Sequence, residues 1–362
     1  MATFACGIKL DRAMNRHNIV DYNPNDVGIN NGNFFGLPFS TDSAKLVIVA
    51  APWDVTSSQG GGSSSAPDAI IEASTQLDLY DPYARDEWKQ GIATAPIDYS
   101  IQEESITLRK DAERIIKALE NGDPISDNML LRRKLDRVNT GSEEMCRKVY
   151  DQTAALLDEG KIVGLVGGDH STPYGFVKAL AEHKGDFGIL HIDAHCDLRE
   201  AYEGFPNSHA SIMYNIMESL PAVSHLVQVG IRDYCEDEIA YAERSGRITQ
   251  FADHTLAERK MEGEKWSEIC DSIIEALPER VYISFDIDGL SPDNCPHTGT
   301  PVAGGLSYNE AAYLLKRLGD SGRTIIGFDL TEVVPSGENS IDAGVGARIL
   351  FKLCGQTLRT NR

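Results

Sequence analysis

The chain has 362 residues, of which 41% are hydrophobic and 25% are charged. This composition is typical of a globular protein long enough for one large α/β domain or two smaller ones. Acidic residues outnumber basic ones by 55 to 34, so the formal net charge is −21. Such a charge disfavours binding to nucleic acid or to an anionic membrane surface, and we expect neither as a partner.

The seven cysteines are scattered and form no C-x-x-C pair, which is typical of proteins in a reducing cytoplasm. The apolar patch at residues 4–8 is too short for the core of a secretory signal. No window approaches the roughly 20 apolar residues that cross a bilayer. We therefore expect a cytoplasmic protein without a membrane span.

The predicted elements begin after a polar, Asn- and Gly-rich N-terminal extension, residues 1–44, which we expect to wrap the domain or a neighbouring subunit. Short apolar runs predict buried strands at 45–51, 162–167, 188–192, 226–230, 281–286 and 324–328. Amphipathic patterns predict helices near 68–77, 106–119, 143–159, 174–183, 209–218, 236–244, 266–277, 307–318 and from 343. The alternation indicates one domain, residues 45–362, with a parallel sheet between helices, and the charged segment 80–141 as a surface elaboration.

A glycine- and serine-rich stretch at residues 59–67 follows the first strand. It lacks the G-x-x-x-x-G-K-[ST] spacing, so a phosphate-binding loop is not predicted. The stretch indicates a flexible loop near the active site or a plain turn into the next helix.

Three of the predicted strands end in residues that can bind metal ions. Asp193, His195 and Asp197 follow the central strand at a spacing of two, which in an extended strand puts side chains on one face. The other two strands end in His170, and in Asp286 and Asp288. Two imidazoles and four carboxylates, with no thiolate, suit Mn²⁺ better than zinc, and six side chains suit two ions. The alternative is that these residues only cap turns, which three clusters at one sheet edge make improbable.

The same segments resemble the three signatures of the ureohydrolases, the superfamily of arginase, agmatinase and formimidoylglutamase. They are Gly-Gly-Asp-His-Ser at 167–171, Asp-Ala-His-Cys-Asp at 193–197, and Ser-Phe-Asp-Ile-Asp-Gly-Leu at 284–290 with Gly-Thr-Pro at 299–301. The resemblance covers about residues 45–355. It implies a three-layer α/β/α catalytic domain with a central, mainly parallel sheet, two Mn²⁺ ions per chain (Ni²⁺ is possible), and a homotrimer or homohexamer.

The resemblance also implies roles for individual residues. One metal ion would be bound by His170, Asp193, Asp197 and Asp286, and the other by Asp193, His195, Asp286 and Asp288. In catalysis, Asp197 would orient the attacking hydroxide, His209 would move protons and Glu332 would bind the guanidinium group. His209 is followed by Ala210 where the family usually has glycine. His191 is expected to support a ligand rather than to be one.

The substrate is less clearly indicated. We expect Arg199, Asn207 and Asp233 to contact the substrate tail. Asp-Leu-Arg at 197–199 is similar to formimidoylglutamases, where an arginine can pair with a substrate carboxylate. Gly-Ile-Arg-Asp at 230–233 and the run 286–305 are more similar to agmatinases, and nearby acidic residues could attract an amine.

We favour an agmatinase-like hydrolase that converts agmatine to putrescine and urea. Arginase, guanidino-acid hydrolase and formimidoylglutamase activities remain open. Two other classes are a single-metal deacetylase and an inactive scaffold subunit. A complete second ligand set argues against the deacetylase, and the presence of every ligand argues against the scaffold.

Overall fold

The computed structural model describes residues 22–337 and 340–362. Within these ranges the strands are β1 Leu46–Ala51, β2 Ile92–Thr94, β3 Ile162–Gly167, β4 Phe187–Ile192, β5 Val223–Val229, β6 Ile248–Phe251, β7 Arg280–Asp286 and β8 Thr324–Thr331. The helices are α1 Ala66–Ser74, α2 Tyr99–Glu120, α3 Met129–Asp158, α4 Tyr174–Lys184, α5 Ile212–Ser219, α6 Glu236–Ser245, α7 Asp253–Met261, α8 Trp266–Glu275, α9 Tyr308–Asp320 and α10 Ile341–Thr360.

The strands form one eight-stranded sheet in the order β2-β1-β3-β8-β7-β4-β5-β6. Each pairing between these strands is parallel. Every residue of β1 and β4 is buried, as expected for strands covered on both faces. Most helices fall into two contacting groups, α8, α9, α10 and α1 in one and α2 to α5 in the other. The predicted three-layer α/β/α arrangement with a parallel sheet is confirmed.

Local sequence explains where several helices begin. The hydroxyl of Ser307 accepts a hydrogen bond from the backbone of Glu310, whose carboxylate accepts one from the backbone of Ser307, and this predicted capping box starts α9. Pro67 lies in the first turn of α1, where its missing N–H costs nothing. The side chain of Asn128 accepts from two backbone N–H groups at the start of α3. These caps supply hydrogen bonds that the first helical turn cannot make for itself.

The structure corrects the interpretation of residues 80–141 as a surface elaboration. Ile92–Thr94 pairs with β1 and forms one edge of the sheet. Helices α2 and α3 also begin earlier than predicted, and the first buried residue of α3 is Val138. The first turns of α3 lack the apolar stripe that periodicity detects, because this helix packs through its later turns. Helix α2 already buries Ile101 in its first turn. The edge strand β6 and helix α7 were not predicted, since β6 is only half-buried and α7 buries Leu256 alone.

The described part of the N-terminal extension, residues 22–44, packs against the domain. The backbone N–H of Phe34 donates to the hydroxyl of Thr94 (2.9 Å) and that of Phe35 to the hydroxyl of Ser74 (2.7 Å). The ring of Phe35 meets that of Phe351 edge to face, at 5.0 Å between centroids. The apolar patch at 4–8 lies outside the described residues. Among the helices of the described ranges, none has the length and apolar character needed to cross a membrane.

Candidate metal centre and active-site cleft

The site lies where β3, β8, β7 and β4 end side by side in the middle of the sheet. Ligands of open parallel sheets bind beyond the carboxyl ends of the strands. Gly168, just after β3, is packed against the backbone of Trp53 so closely that a Cβ would lie 1.9 Å from the Trp53 carbonyl oxygen. Only glycine fits there, and this close packing fixes the path of the chain that delivers His170.

The first cluster is built around the buried ring of His170. Its Nδ1 lies 3.0 Å from Asp193 Oδ2, 3.0 Å from Asp197 Oδ2 and 3.4 Å from Asp286 Oδ2. None of these oxygens lies in a hydrogen-bonding direction. Nε2 is 2.9 Å from the hydroxyl of Ser284, which fixes the ring. A nitrogen that faces three carboxylates without a hydrogen bond is arranged as a metal ligand.

The second cluster shares Asp193 with the first. Nδ1 of His195 lies 3.1 Å from Asp288 Oδ2 and 3.4 Å from Asp193 Oδ1. One potential ligand atom from each of Asp193, His195 and Asp288 lies within 4.8 Å of the others. The structure therefore brings all six predicted ligands together as two groups joined by one carboxylate.

The prediction that alternation along extended strands aligns these side chains is wrong. Strand β4 ends at Ile192, and Asp197 has a left-handed φ of 54°. Asp288 lies in a 3₁₀ turn after β7. The carboxylates themselves shape these turns, because Asp193 accepts a hydrogen bond from the backbone of His195 (2.6 Å) and Asp286 one from that of Asp288 (2.8 Å). Turn-capping and ligand geometry are thus combined in the same side chains.

His191 lies behind the ligands. Its Nε2 is 2.8 Å from Asp193 Oδ2, and its Nδ1 is 2.9 Å from the side-chain nitrogen of Gln228. Gln228 also donates to the carbonyl of Cys196 (2.7 Å). This chain of hydrogen bonds orients the shared carboxylate from the protein side, as supporting residues do around metal sites.

The carboxylates of the two clusters repel one another, and a bound cation would relieve this repulsion. Burial, together with repulsion from Asp288 and Asp193, raises the pKa of Asp286 well above its usual value. Burial and the neighbouring Asp193 raise the pKa of Asp197 to about 6. Carboxylates held so close together cannot all be ionised without compensating positive charge. The donor set, with four carboxylates and two imidazole nitrogens, fits two divalent ions.

Glu332 follows β8 and lies between His170 and His209. Its backbone has a left-handed φ of 60°, and its N–H donates to the carbonyl of Gly168 (2.8 Å). The side-chain Oε1 accepts from the backbone of His170 (2.9 Å) and lies 3.7 Å from Nδ1 of His209. Burial, followed by repulsion from Asp169, raises its pKa well above the usual value. An unusual φ at a buried carboxylate is typical of a functional position.

His209 begins a 3₁₀ turn before α5. Its backbone N–H donates to the hydroxyl of Thr56 (3.2 Å), and that hydroxyl donates to Oδ2 of the buried Asp169 (3.2 Å). Nε2 of the ring is buried without a hydrogen-bond partner among the described residues. Burial, and then the nearby His195 and His170, lower its pKa to about 3. The surroundings of the ring thus favour its neutral form.

A cleft of about 370 Å³ opens over these groups. Its lining includes His195, Asp197 and His209 on the inside, and Ser58, Gln59 and Thr300 along the walls. The structure thus places the predicted catalytic His209 and two predicted ligands in one cavity.

Of the three residues predicted to contact the substrate tail, two line the cleft and one does not. Arg199 lines the cleft, with its Nε 3.7 Å from Glu238 Oε2 and its guanidinium 4.7 Å from the centre of the Tyr202 ring. Asp233 also lines the cleft and is exposed. Asn207 does not belong to the lining. It is half-buried and follows a tight turn that is closed by backbone hydrogen bonds between Tyr202 and Phe205.

Sequence reasoning missed the supports of the site. The hydroxyl of Thr56 bonds to both Asp169 and His209, although these residues lie 113 and 153 positions after Thr56 along the chain. Arg232 donates to the carbonyls of Asp288 (2.7 Å) and Val302 (3.0 Å) and so ties a ligand to the cleft wall. No local spacing reveals such contacts. The only sequence signal was the position of both residues just after strands.

Comparison with known proteins gives a consistent result. The model of the Arginase family matches residues 44–355. An N(1)-aminopropylagmatine ureohydrolase of Thermus thermophilus is 32% identical over 298 residues, which cover 82% of this chain and 85% of that protein. The agmatinase of Bacillus anthracis is 30% identical over 313 residues, 85% of this chain and 90% of that protein. The crystal structure of the agmatine ureohydrolase of Thermoplasma volcanium has the same fold, with a TM-score of 0.65, 22% identity, and coverage of 89% of this chain and 92% of that one. The chain belongs to the Arginase family.

Proposed function

We propose that the protein is a binuclear-metal hydrolase that cleaves a guanidino substrate to urea and an amine, and that this substrate is agmatine or an N-substituted agmatine. The observation that carries the proposal is the meeting of two ligand clusters, joined by Asp193, beside a cleft that His195, Asp197 and His209 line, with the carboxylate of Glu332 3.7 Å from His209. The family match and the agmatine-type relatives support it.

We assign His170, Asp193, Asp197 and Asp286 to one ion and Asp193, His195, Asp286 and Asp288 to the other. Mn²⁺ fits this oxygen-rich set best, with Ni²⁺ as the alternative. When bound, two such ions would lower the pKa of a water molecule and so would supply hydroxide at neutral pH.

Protein side chains bind the guanidinium group, orient the nucleophile and transfer the proton. The buried Glu332 carboxylate pairs with the N–H groups of the guanidinium in a forked geometry and holds its carbon over the cluster. Asp197 accepts a hydrogen bond from the nucleophile and orients it. His209, whose Nε2 has no partner among the described residues, relays a proton: its neutral ring takes up the proton that the attacking water gives up and passes it to the leaving amine.

The charges of the outer cleft favour a cationic tail. The side chain of Arg199 is close to the buried carboxylate of Glu238 and stacks on Tyr202, so its charge is already compensated. Asp233 is exposed at the same opening, next to the ring of Tyr234. A carboxylate and aromatic faces attract an ammonium group and not a carboxylate. This argument favours agmatine-type substrates over arginine, guanidino acids and formimidoylglutamate.

The cellular setting and the assembly are part of the proposal. The six cysteines within the described residues are free thiols, which supports a reducing cytoplasm. The family resemblance supports a homotrimer or homohexamer, with residues 45–362 as the catalytic domain and residues 1–44 as an extension.

The test is release of urea from a panel of guanidino compounds after reconstitution with Mn²⁺ and, in parallel, Ni²⁺. The panel contains agmatine, N(1)-aminopropylagmatine, arginine and 4-guanidinobutyrate, with formimidoylglutamate followed by formamide release. We expect the two amine-tailed compounds to have the highest kcat/KM. Preference for a carboxylate-tailed compound would refute the tail assignment, and an absence of turnover with two ions bound would refute the function.

A further inference from the structure

One wall of the cleft is a loop, residues 54–62, that joins β1 to α1 and contributes Ser58 and Gln59 to the lining. The loop carries several glycines, and Gly60 has a left-handed φ of 67°. Nothing packs near a Cβ at Gly60. A segment of this composition does not hold a single conformation unless other parts of the chain fix it.

Arg109, in the middle of α2, holds the loop in one conformation. Its guanidinium donates to three backbone carbonyls of the loop: Val55 (3.1 Å), Ser57 and Gly60 (2.9 Å). The Arg109 side chain is only 13% exposed, and its Nε is 3.3 Å from the carboxylate of Glu113 one turn further along α2. A planar fork with several donors can span carbonyls that a single ammonium group cannot.

The two ends of the loop are held independently of Arg109. Asp54 accepts hydrogen bonds from the backbone of Gly62 (2.6 Å) and from the hydroxyl of Ser105 (3.0 Å). Thr56 is attached to Asp169 through its hydroxyl (3.2 Å) and to the backbone of His209. The part that depends on Arg109 is therefore the tip, residues 57–60, which faces the substrate space.

We propose that Arg109 is a positioning residue that sets substrate specificity by ordering the Ser58–Gln59 wall of the cleft, while the catalytic groups stay in place without it. The inference rests on the proposed function, because this wall would face the tail of the guanidino substrate. Helix α2 belongs to the segment that the sequence indicated to be a surface elaboration, and this contact gives it a role at the site.

The expected effect follows from the cost of ordering the loop. Fixing the backbone of one residue on binding weakens affinity by about 5- to 30-fold. Loss of Arg109 therefore raises KM by about this factor. The value of kcat changes by less than about threefold, because Thr56 and His209 keep their own attachment.

The experiment compares Arg109→Gln and Arg109→Lys with the matched control Arg114→Gln, which removes the same charge from an exposed position of the same helix. Hydrogen exchange of the peptide spanning 55–62 is measured on the full-length, metal-loaded protein, together with kcat and KM for agmatine. We expect Arg109→Gln to exchange at least about tenfold faster in this peptide. Arg109→Lys should give a partial rescue, and the control should match the parent protein.

The two readouts separate the inference from the proposed function. If the parent protein hydrolyses no guanidino compound, the proposed function fails, and the exchange measurement still decides the role of Arg109. Unchanged exchange in Arg109→Gln would overturn the inference. So would a fall in kcat with KM unchanged, since this would place the effect on the catalytic groups. If Arg109→Gln does not fold, Arg109→Lys decides by the same two readouts.

Discussion

Replacement of Glu332 by Gln tests the guanidinium assignment with little change in shape. Glu332 is buried, accepts a hydrogen bond from the backbone of His170 and is not one of the proposed metal ligands. Glutamine keeps an oxygen for that hydrogen bond but loses the charge and one acceptor of the forked pair. We therefore expect metal content to stay at the parent value while substrate turnover falls.

The magnitude follows from the two charge-assisted hydrogen bonds that the carboxylate would make. Each contributes about 1.5–3 kcal/mol, and about 1.4 kcal/mol corresponds to a factor of ten. Glutamine loses one of the two bonds and the charge that strengthens the other, which predicts a fall in kcat/KM of about 10²- to 10³-fold. The matched control is Glu243→Gln, which makes the same substitution at an exposed position of α6 outside the cleft lining, and for which we expect a change below about threefold.

Although Glu332→Gln should lower activity, it should raise the stability of the metal-free protein. A carboxyl group whose pKa is raised in the folded chain destabilises the fold once the pH exceeds its unfolded pKa of about 4.3. Burial and Asp169 raise the pKa of Glu332 in this way. Metal-free Glu332→Gln should therefore be more stable than the metal-free parent at pH 7, and the difference should disappear toward pH 4.

Urea release and denaturant midpoints of the metal-free proteins provide the assays. A Glu332→Gln variant that keeps its metal ions and retains kcat/KM within threefold of the parent would refute the guanidinium assignment. Loss of the metal ions would contradict the reasoning differently, because it would make Glu332 a ligand. Lower stability of the metal-free variant would contradict the electrostatic argument.

Three further predictions concern the supports of the site. Thr56→Val removes the hydroxyl that makes one buried and one partly buried hydrogen bond and should lower the unfolding free energy by about 1–3 kcal/mol in urea titrations. Gly168→Ala would press a Cβ to 1.9 Å from the Trp53 carbonyl and should cost about 3 kcal/mol or more, whereas the helical control Gly344→Ala should not destabilise. Burial, and then repulsion from Glu120, raise the pKa of Glu203 to about 7, so Glu203→Gln should stabilise the protein progressively as the pH rises from its unfolded pKa of about 4.3 to about 7, with no further gain above that.

Each of these predictions has a clear contrary result. Unchanged stability of Thr56→Val would show that its hydroxyl contacts carry no net energy. Equal stability of the two alanine variants would contradict the close packing at Gly168. A stability difference for Glu203→Gln that does not change with pH would contradict the raised pKa.

Sequence patterns located most of the sheet because buried parallel strands are continuous apolar runs. The runs at β1, β3, β4, β7 and β8 were all recognised, and these strands carry or flank the site. The edge strands β2 and β6 escaped detection, because β2 is only three residues long and β6 is only half-buried. The six predicted ligands also meet in the structure, since parallel strands that are neighbours in the sheet end at the same edge.

What the sequence could not reveal is how the side chains are supported. The left-handed φ values of Asp197 and Glu332 depend on tertiary contacts and are not a property of the local residues. The bond from Thr56 to His209 and the contacts of Arg109 join segments about 50 to 150 residues apart. Hydrophobic periodicity, which relates residues a few positions apart, cannot predict contacts between segments so far apart along the chain. The compensation of Arg199 by Glu238 likewise appears only in the folded chain, and it weakens the alternative, suggested by Arg199 in the sequence, that the substrate has a carboxylate tail.

The most direct test of the two-ion account is a titration of the metal-free protein with Mn²⁺ in which bound metal and urea release from agmatine are measured on the same samples. The account predicts that activity rises to its maximum when two ions are bound per chain, and that Asp193→Ala, which removes the carboxylate shared by both clusters, binds neither ion tightly. Full activity with one ion per chain, or without metal, would contradict it.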